Sequence, residues 1–380
     1  MVVSYQRQVT GTRTFTYRVI WCPEVIAPRS GGLLAELIPL RSATEPTVMF
    51  VDSQVLHHHH ERLCAYVGSQ AGRYEIVPVA ADENTKHLDS VAELLRVMTK
   101  IGVPRRHPVI VIGGGVCLDL VGFACSVYRR GIPYIRLPTT LLAMADAGVG
   151  VKTATNFEGH KSRVGTYYPP LATLIDPQWL VSLPERHIAN GLAEILKVAL
   201  VRNHHLFVQA STQLDALVGE RLMSTVGHTI LVQAVETMLR ELEPNLWEEV
   251  LERAVDFGHA VSPVLEMAFA ESLLHGEAVT VDMALFSLVS ARRGLLDESE
   301  CDLVIAALDK LKPPLTERML DPALLWSGIV ETTRHRGGKQ RLPLLTGIGG
   351  CTFVNDVTRD EVEQATGRLR ERWCAHLTSP

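Results

Sequence analysis

Three residues with metal-binding side chains lie in short motifs of the second half of the chain. Glu194 lies in GLAEILK, His259 in DFGHAVSP and His275 in LLHGEAV. Two imidazoles and a carboxylate suit Zn²⁺ or Co²⁺, and three protein ligands leave a coordination position open for substrate oxygens. Lys197 follows Glu194 by one helical turn, so both side chains leave one face of a helix. On spacing alone, however, a surface Glu–Lys pair and two unrelated histidines explain the pattern better, so the neighbouring motifs must decide.

The bulk properties of the chain exclude several classes of protein. Its 380 residues are enough for two domains, and 47% apolar with 21% charged residues is normal for a globular enzyme. The net charge of −5 gives no basic surface for nucleic acid, and no apolar run approaches the roughly 18–20 residues that span a bilayer. The seven cysteines are scattered without a CxxC pair, which indicates reduced thiols. We therefore expect a cytoplasmic enzyme that binds neither nucleic acid nor a membrane.

The first half of the sequence alternates short apolar runs with helical patterns. The runs are TVMFVDS (47–53), YEIVPV (74–79), PVIVIGGG (108–115) and PYIRLPTT (133–140). Such alternation predicts an α/β fold with a mostly parallel sheet, whose ligands gather at the carboxyl ends of the strands. After DPQWLVSLPERH (176–187) the pattern changes to long amphipathic helices. We expect a nucleotide-binding α/β domain at 1–175, a mainly α-helical metal- and substrate-binding domain at 176–380, and an active site in the cleft between them.

Several residues at the predicted strand ends suit a dinucleotide. Gly113–Gly115 follow a strand and open a helix, where glycines let the backbone approach a diphosphate and the helix N-terminus favours its charge. The full GxGxxG spacing is missing, and any tight strand–helix turn can use glycine. Asp52 can hold ribose hydroxyls or simply cap a helix. Glu83, Lys86 and the pair Thr139–Thr140 are further polar groups at strand ends, and the whole set favours a dinucleotide over a purely structural sheet.

A glycine-rich segment between the two halves carries several cations. PTTLLAMADAGVGVKTATNFEGHKSRVGTYYPP contains Asp146, Lys152, His160, Lys161 and Arg163. Next to a nucleotide site, a loop with so many cations suits an anionic substrate such as a phosphate ester. The alternative interpretation is a solvated glycine-rich loop.

The chain resembles the dehydroquinate synthase superfamily, the sugar phosphate cyclases, in register over nearly its whole length. The resemblance rests on YRRGIPYIRLPTTLLAMADAGVGVK, GHKSRVGTY, GLAEILK, DFGH and HGEAV. It implies an NAD-binding α/β domain, a helical domain, a Zn²⁺ or Co²⁺ ion and a homodimer. By motif, it assigns the metal ligands to Glu194, His259 and His275, active-site roles to Asp146, Lys152, Lys161 and Lys197, and phosphate binding to Arg130. It assigns the nucleotide contacts to Asp52, Glu83, Lys86, Gly114, Gly115, Asp119, Thr139 and Thr140.

Four departures from dehydroquinate synthases concern the part of the pocket that receives a substrate carboxylate. Those enzymes have an arginine, an asparagine, a histidine and a lysine where this chain has Glu252, Asp256, Pro263 and Met238. Such a pocket should repel a carboxylate, because an unpaired buried like charge costs on the order of several kcal/mol. Glu252 and Asp256 can instead accept hydrogen bonds from the hydroxyls of a neutral polyol. The stretches ELEPNLWEEVLERAVDFGHAVSPVLEM and KQRLPLLTGIG resemble the 2-epi-5-epi-valiolone synthase branch, although Ser162 stands where asparagine is expected.

The resemblance implies cyclisation of sedoheptulose 7-phosphate to 2-epi-5-epi-valiolone, with NAD⁺ regenerated in each turnover. The C5 hydroxyl is oxidised, phosphate leaves by β-elimination, hydride returns, and ring opening and an intramolecular aldol addition close the carbocycle. Lys152, Lys161 and Arg130 would hold the phosphate, and Lys197 and Asp146 would steady the alkoxide. The alternatives are a sedoheptulose 7-phosphate cyclase that makes 2-epi-valiolone or desmethyl-4-deoxygadusol, a dehydroquinate synthase proper, a metal-dependent polyol dehydrogenase, and a degenerate NAD-binding scaffold.

Overall fold

A six-stranded parallel sheet forms the first half of the chain in the computed structural model, which describes residues 6–12, 14–28, 33–38, 46–70 and 72–373. The described strands are β1 (Arg18–Trp21), β2 (Thr47–Asp52), β3 (Tyr74–Val79), β4 (Val109–Gly113), β5 (Tyr134–Pro138), β6 (Lys152–Phe157), β7 (His160–Tyr167), β8 (Ala172–Ile175), β9 (Leu342–Gly347) and β10 (Gly350–Val354). The sheet has the order β1-β8-β5-β4-β2-β3, and every neighbouring pair is parallel. The four strands predicted from apolar runs are β2, β3, β4 and β5, so the predicted parallel sheet is confirmed.

Helices cover the sheet and build most of the second half of the chain. The described α-helices are α1 (Leu33–Leu37), α2 (Ser53–Ser69), α3 (Leu88–Ile101), α4 (Gly115–Val127), α5 (Glu185–Arg202), α6 (His204–Thr212), α7 (Leu214–Gly219), α8 (Thr225–Leu242), α9 (Ser262–Ala268), α10 (His275–Arg292), α11 (Glu298–Asp309), α12 (Pro322–His335) and α13 (Arg359–Trp373). Every residue of β4 and β5 is buried, as expected for central strands covered on both faces. The predicted combination of a parallel sheet with a mainly helical second half is therefore confirmed.

The central helix of the second half is α10. Its residues from Gly276 to Ala291 are all buried, and it packs on α5, α9, α11 and α13. A helix buried on all sides belongs to the core, so α10 holds its first residue, His275, against a packed interior. β8 ends at Ile175, beside the boundary predicted at 175, and the division into two domains stays a prediction.

Two segments differ from the sequence-based expectation. The glycine-rich segment expected to be a loop contains the antiparallel hairpin β6–β7, whose turn residues Glu158 and Gly159 both have positive φ, +48° and +72°. Positive φ at both central residues suits the twist of a tight hairpin. The helical pattern over 191–210 is interrupted at Asn203, whose extended backbone ends α5 and whose side chain caps α6 by accepting from Leu206 N at 3.0 Å.

No helix among the described ranges is both long enough and apolar enough to cross a bilayer. This agrees with the absence of a long apolar run in the sequence.

Candidate active site

The three predicted metal ligands converge from three separate parts of the fold. Glu194 lies on α5, His259 in the loop before α9, and His275 is the first residue of α10. Their donor atoms all lie within 4.8 Å of one another. Glu194 Oε1 is 3.1 Å from His275 Nε2 and 3.9 Å from His259 Nε2. This spacing can be spanned by one cation that all three side chains contact.

A close approach of two helices places His275 beside Glu194. Gly276 follows His275, and a Cβ added there would lie 2.0 Å from the carbonyl oxygen of Asn190 on α5. The Asn190 side chain accepts a hydrogen bond from Gly276 N at 2.5 Å. Only glycine allows the N-terminus of α10 to abut α5 in this way, which explains the HG dipeptide in physical terms.

The loop that carries His259 is anchored to α10 by a buried carboxylate. Asp282 is fully buried and accepts hydrogen bonds from the backbone amides of Val261 and, at 2.9 Å, Ser262. Burial raises the pKa of Asp282 to about 6, although these amides pull it down. Asp282 therefore ties the segment after one candidate ligand to the helix that presents the other.

Two of the three candidate ligands have the protonation that a divalent cation needs, and the third holds a proton that the cation would replace. Burial would raise the pKa of Glu194, but Lys197 and His275 hold it well below its usual range, so the carboxylate is ionised. Burial and the charge of Lys197 lower the pKa of His259 to about 3, which keeps its imidazole neutral. Burial would also lower the pKa of His275, but the carboxylates of Glu266 and Glu194 outweigh burial and raise that pKa to about 9. A cation at this place would take over the role of the His275 proton.

Both imidazoles turn Nε2 towards Glu194 because Nδ1 has another partner. Nδ1 of His259 lies 3.2 Å from the carbonyl oxygen of Phe257, and Nδ1 of His275 lies 2.9 Å from Glu266 Oε1. In the neutral imidazole, an acceptor at Nδ1 fixes the tautomer in which Nε2 carries the free lone pair. The donor set therefore fits Zn²⁺ or Co²⁺ both in chemistry and in orientation.

Lys197 is buried between two carboxylates. It is 2% exposed, its ammonium contacts Glu194, and it lies 3.6 Å from Asp146 Oδ2. Burial alone would lower the pKa of Lys197, but Asp146 and Glu194 raise it. Burial raises the pKa of Asp146 in spite of the lysine. Lys197 is thus a fixed cation paired chiefly with Glu194. Of the two carboxylates, Asp146 is the more readily protonated.

Lys152, at the start of β6, faces an unpredicted carboxylate. Its ammonium contacts Glu248, which also pairs with Arg253 and accepts from Tyr167 Oη at 3.2 Å. The surrounding protein and the charge of Arg253 lower the pKa of Lys152 to about 8, even though its side chain is 56% exposed. An accessible ammonium that is still mostly charged at pH 7 suits the binding of an anionic ligand.

Lys161, on β7, is paired with Glu266 on α9. Burial alone would lower the pKa of Lys161, but Glu266 and Glu83 raise it, so the ammonium stays charged. Because the same Glu266 contacts His275, the structure joins the cationic hairpin to the candidate metal centre.

Asp256 and Glu252, predicted to line the substrate end of the pocket, lie in different environments. Asp256 is buried and pairs with Arg253 and, at 2.9 Å, with Arg336. Burial would raise its pKa, but these arginines lower it. Glu252 is exposed, and within the described part of the chain its side chain has no hydrogen bond or ion pair. Arg130 is also exposed, has a φ of +64°, and makes no such contact with any described residue.

The glycine turn between β4 and α4 forms a tight cradle at the carboxyl edge of the sheet. A Cβ on Gly113 would lie 2.5 Å from Cys117 Cβ, and one on Gly114 would lie 3.1 Å from Thr140 Cγ2. The N-terminus of α4, at Gly115, has no side-chain cap. Thr139 donates its backbone N–H to Gly113 O at 3.0 Å, and its buried Oγ1 has no partner among the described residues. A helix N-terminus without a side-chain cap and an unpaired hydroxyl suit a diphosphate.

Asp52 lies at the same edge, at the end of β2. Its carboxylate caps α2 by accepting from Gln54 N at 2.9 Å, and burial raises its pKa. Its Cβ would be 3.1 Å from a Cβ on Gly113. The helix-cap interpretation of Asp52 is therefore confirmed, and a ribose contact from its second oxygen stays a prediction.

The remaining predicted nucleotide contacts form a polar cluster with the hairpin. Lys86 is 5% exposed, pairs with Asp119 at 2.6 Å and donates to Ser162 Oγ at 3.2 Å. Glu83 is exposed and accepts from Asn156 Nδ2 at 2.8 Å. Ser162, at the position where asparagine was expected, therefore takes part in the network through Lys86.

Four charged residues at the site were missed by sequence reasoning: Glu248, Arg253, Glu266 and Arg336. Glu248, Arg253 and Glu266 lie in the quoted stretch that contains DFGH, and their closeness to His259 in sequence was the one available signal. Arg336 follows the end of α12 and is 80 residues from its partner Asp256. The sequence around Arg336 therefore gave no sign that it belongs to the site.

Comparison with known proteins agrees with this geometry. The family description "3-dehydroquinate synthase N-terminal" matches residues 76–190, and "3-dehydroquinate synthase C-terminal" matches residues 191–331. A 2-epi-5-epi-valiolone synthase from Streptomyces albus is 47% identical, over 84% of this chain and 80% of its own length. One from an Actinomyces species is 41% identical, over 96% of this chain and 98% of its own.

A solved structure of such a synthase is also similar. The 2-epi-5-epi-valiolone synthase from Streptomyces hygroscopicus, with NAD⁺ and Zn²⁺ bound, aligns with a TM-score of 0.91 and 42% identity, covering 96% of this chain and all of that one. Sequence identity at this level over nearly the full length, together with the two matching family models, shows that the chain belongs to the 3-dehydroquinate synthase family.

Proposed function

We propose that this chain is a 2-epi-5-epi-valiolone synthase, which cyclises sedoheptulose 7-phosphate with release of phosphate, using NAD and one Zn²⁺ or Co²⁺ ion. The observation that carries the proposal is the convergence of Glu194, His259 and His275 within 4.8 Å beside Lys152, Lys161 and Lys197. It occurs in a chain 41–47% identical to enzymes of that name. A metal-dependent site surrounded by cations suits a substrate that carries both hydroxyls and a phosphate.

Glu194, His259 and His275 would hold the metal, and the carboxyl edge of β2, β4 and β5 would hold NAD. When bound, the metal would supply acidification of a substrate hydroxyl, and NAD would supply a reversible hydride acceptor. The NAD contacts in this proposal are Asp52, Glu83, Lys86, Gly114, Gly115, Asp119, Thr139 and Thr140.

The chain's own charged residues orient the substrate and move protons. Lys152 and Lys161 would bind the phosphate, and when it enters, Glu248 and Glu266 would keep Arg253 and His275 as their partners. Lys197 is a fixed cation that steadies negative charge on a substrate oxygen. Asp146 has a raised pKa, so it can exchange a proton with a nearby hydroxyl. Arg130 joins the phosphate site in this proposal on motif alone.

The distribution of charge favours a neutral polyol over a carboxylated substrate. Arg253 and Arg336 are the cations that a substrate carboxylate would seek, and both are already paired, with Asp256 and Glu248. A carboxylate would have to displace a buried acid, and an unpaired buried charge is costly. The preference therefore arises from occupied arginines, and it no longer depends on Glu252.

The homodimer and the cytoplasmic location expected from the sequence are parts of the same proposal. The six cysteines in the described ranges are free thiols, which supports a reducing compartment. Sedimentation at micromolar concentration would distinguish a dimer of this 41.9 kDa chain from a monomer.

Product analysis tests the proposed function. The protein is incubated with sedoheptulose 7-phosphate, NAD⁺ and Co²⁺ or Zn²⁺, and the product is identified by NMR. We expect 2-epi-5-epi-valiolone. 2-epi-Valiolone or desmethyl-4-deoxygadusol would move the chain to a neighbouring cyclase, and turnover only of a carboxylated heptulosonate phosphate would make it a dehydroquinate synthase.

A further inference from the structure

Glu266 connects two parts of the site that lie far apart in sequence. It lies on α9, it is 8% exposed, and its Oε1 is 2.9 Å from Nδ1 of His275. Its other oxygen, Oε2, contacts the ammonium of Lys161 on the β6–β7 hairpin, 105 residues away. Each oxygen of one buried carboxylate thus has a different partner at the candidate site.

The two contacts have different physical consequences. The contact with His275 holds the imidazole ring in the orientation and tautomer that direct Nε2 at Glu194. The contact with Lys161 supplies a negative charge to a half-buried ammonium. Since the carboxylate has two oxygens, it can make both contacts at once without either partner being displaced.

We propose that Glu266 is a positioning residue for the metal centre, acting through His275 rather than by touching substrate. This inference rests on the proposed metal site. It separates Glu266 from an ordinary ion-pair partner of Lys161, because a residue that acted only through its charge would leave metal affinity unchanged when aspartate, which keeps that charge, replaces it. Loss of the Nδ1 acceptor should weaken metal binding by about 10-fold to 100-fold, the usual effect of removing such a partner.

The test is the affinity of the substrate-free protein for Zn²⁺, measured by competition with a chromophoric chelator, together with the visible spectrum of the Co²⁺ form. Glu266→Gln keeps the shape of the side chain, and Glu266→Asp keeps the charge but shortens its reach. We expect both to weaken Zn²⁺ binding and to alter the Co²⁺ spectrum. Glu271→Gln, at an exposed glutamate in the following turn, is the matched control and should bind as wild type does.

Lys161→Met separates the two contacts. It leaves the Glu266–His275 hydrogen bond in place and removes a positive charge near the metal, so Zn²⁺ binding should be unchanged or tighter. Wild-type affinity in Glu266→Asp, which keeps the charge without the contact, would overturn the inference, and so would an equal weakening in Lys161→Met. Failure of the wild-type protein to bind Zn²⁺ or Co²⁺ would instead reject the metal centre of the proposed function, and this inference with it.

Discussion

Replacing Lys197 by methionine should destabilise the metal-free protein far more than the metal-bound one. The lysine is 2% exposed and is the cation between Glu194 and Asp146. Without it, Glu194 keeps only His275 as a counterion and Asp146 loses its cation, and breaking a buried pair in this way costs about 3–5 kcal/mol. A divalent ion at Glu194 would restore the missing positive charge, so we expect metal to recover much of that loss.

This loss of folding stability can be compared with the stabilisation that metal binding provides. A ligand at about 1,000 times its dissociation constant stabilises the folded state by about 4 kcal/mol. Removing the repulsion between Lys197 and the metal should tighten binding as well. The stabilisation by Zn²⁺ should therefore be larger in Lys197→Met than in the wild type, although activity is lost.

Urea unfolding with a chelator and with saturating Zn²⁺ measures both quantities. Lys310→Met, at an exposed lysine after α11, is the control and should change the free energy of unfolding by less than about 0.5 kcal/mol. A loss in Lys197→Met that is the same with and without Zn²⁺ would refute the reasoning. A metal-free loss below about 1 kcal/mol would refute it too, since a buried pair should cost more.

Three further predictions concern charge and packing. Because the pKa of Lys152 is lowered to about 8, its positive charge is lost as pH rises through that value, and KM for the sugar phosphate should rise above pH 8 in initial-rate measurements. Because burial raises the pKa of Asp282 to about 6 from 3.8, its protonated form stabilises the fold below about pH 4, and this contribution fades as pH rises through about 6. Urea unfolding should show this decline in the wild type and not in Asp282→Asn, while Asp282→Ala should lose about 1–3 kcal/mol for each amide left unpaired. Gly113→Ala should destabilise the protein by about 1–3 kcal/mol in the same assay, since its Cβ would lie 2.5 Å from Cys117 Cβ; Gly68→Ala, with open space around it, should not.

Four of the six strands of the sheet were predictable because they are apolar runs, whereas β1 and β8 were not predicted. β2, β4 and β5 are buried on both faces, so burial dictates their composition and marks them in the sequence, whereas the edge strand β3 is mostly half-buried. The β6–β7 hairpin was not predicted, because its residues serve the site and alternate in burial among glycines, lysines and threonines. The break at Asn203 was missed because the apolar spacing continues through it.

The candidate metal ligands were predictable because each lies in a distinctive short motif. Their partners were not, because the contacts join distant parts of the chain. Lys161 and Glu266 are 105 residues apart, and Asp256 and Arg336 are 80 apart. For Glu252 the sequence was misleading in the opposite way. Its position beside DFGH predicted a place in the substrate pocket, whereas its side chain is exposed at the surface.

The number of phosphate ions released per NAD⁺ tests the central claim most directly. The purified protein, Co²⁺ or Zn²⁺ and a small amount of NAD⁺ are mixed with excess sedoheptulose 7-phosphate, and phosphate and NADH absorbance are followed together. A cyclase that regenerates its cofactor should release many phosphate ions per NAD⁺ with no accumulated NADH, and a chelator should abolish the release. NADH formed in proportion to substrate, without phosphate, would contradict the account and indicate a polyol dehydrogenase.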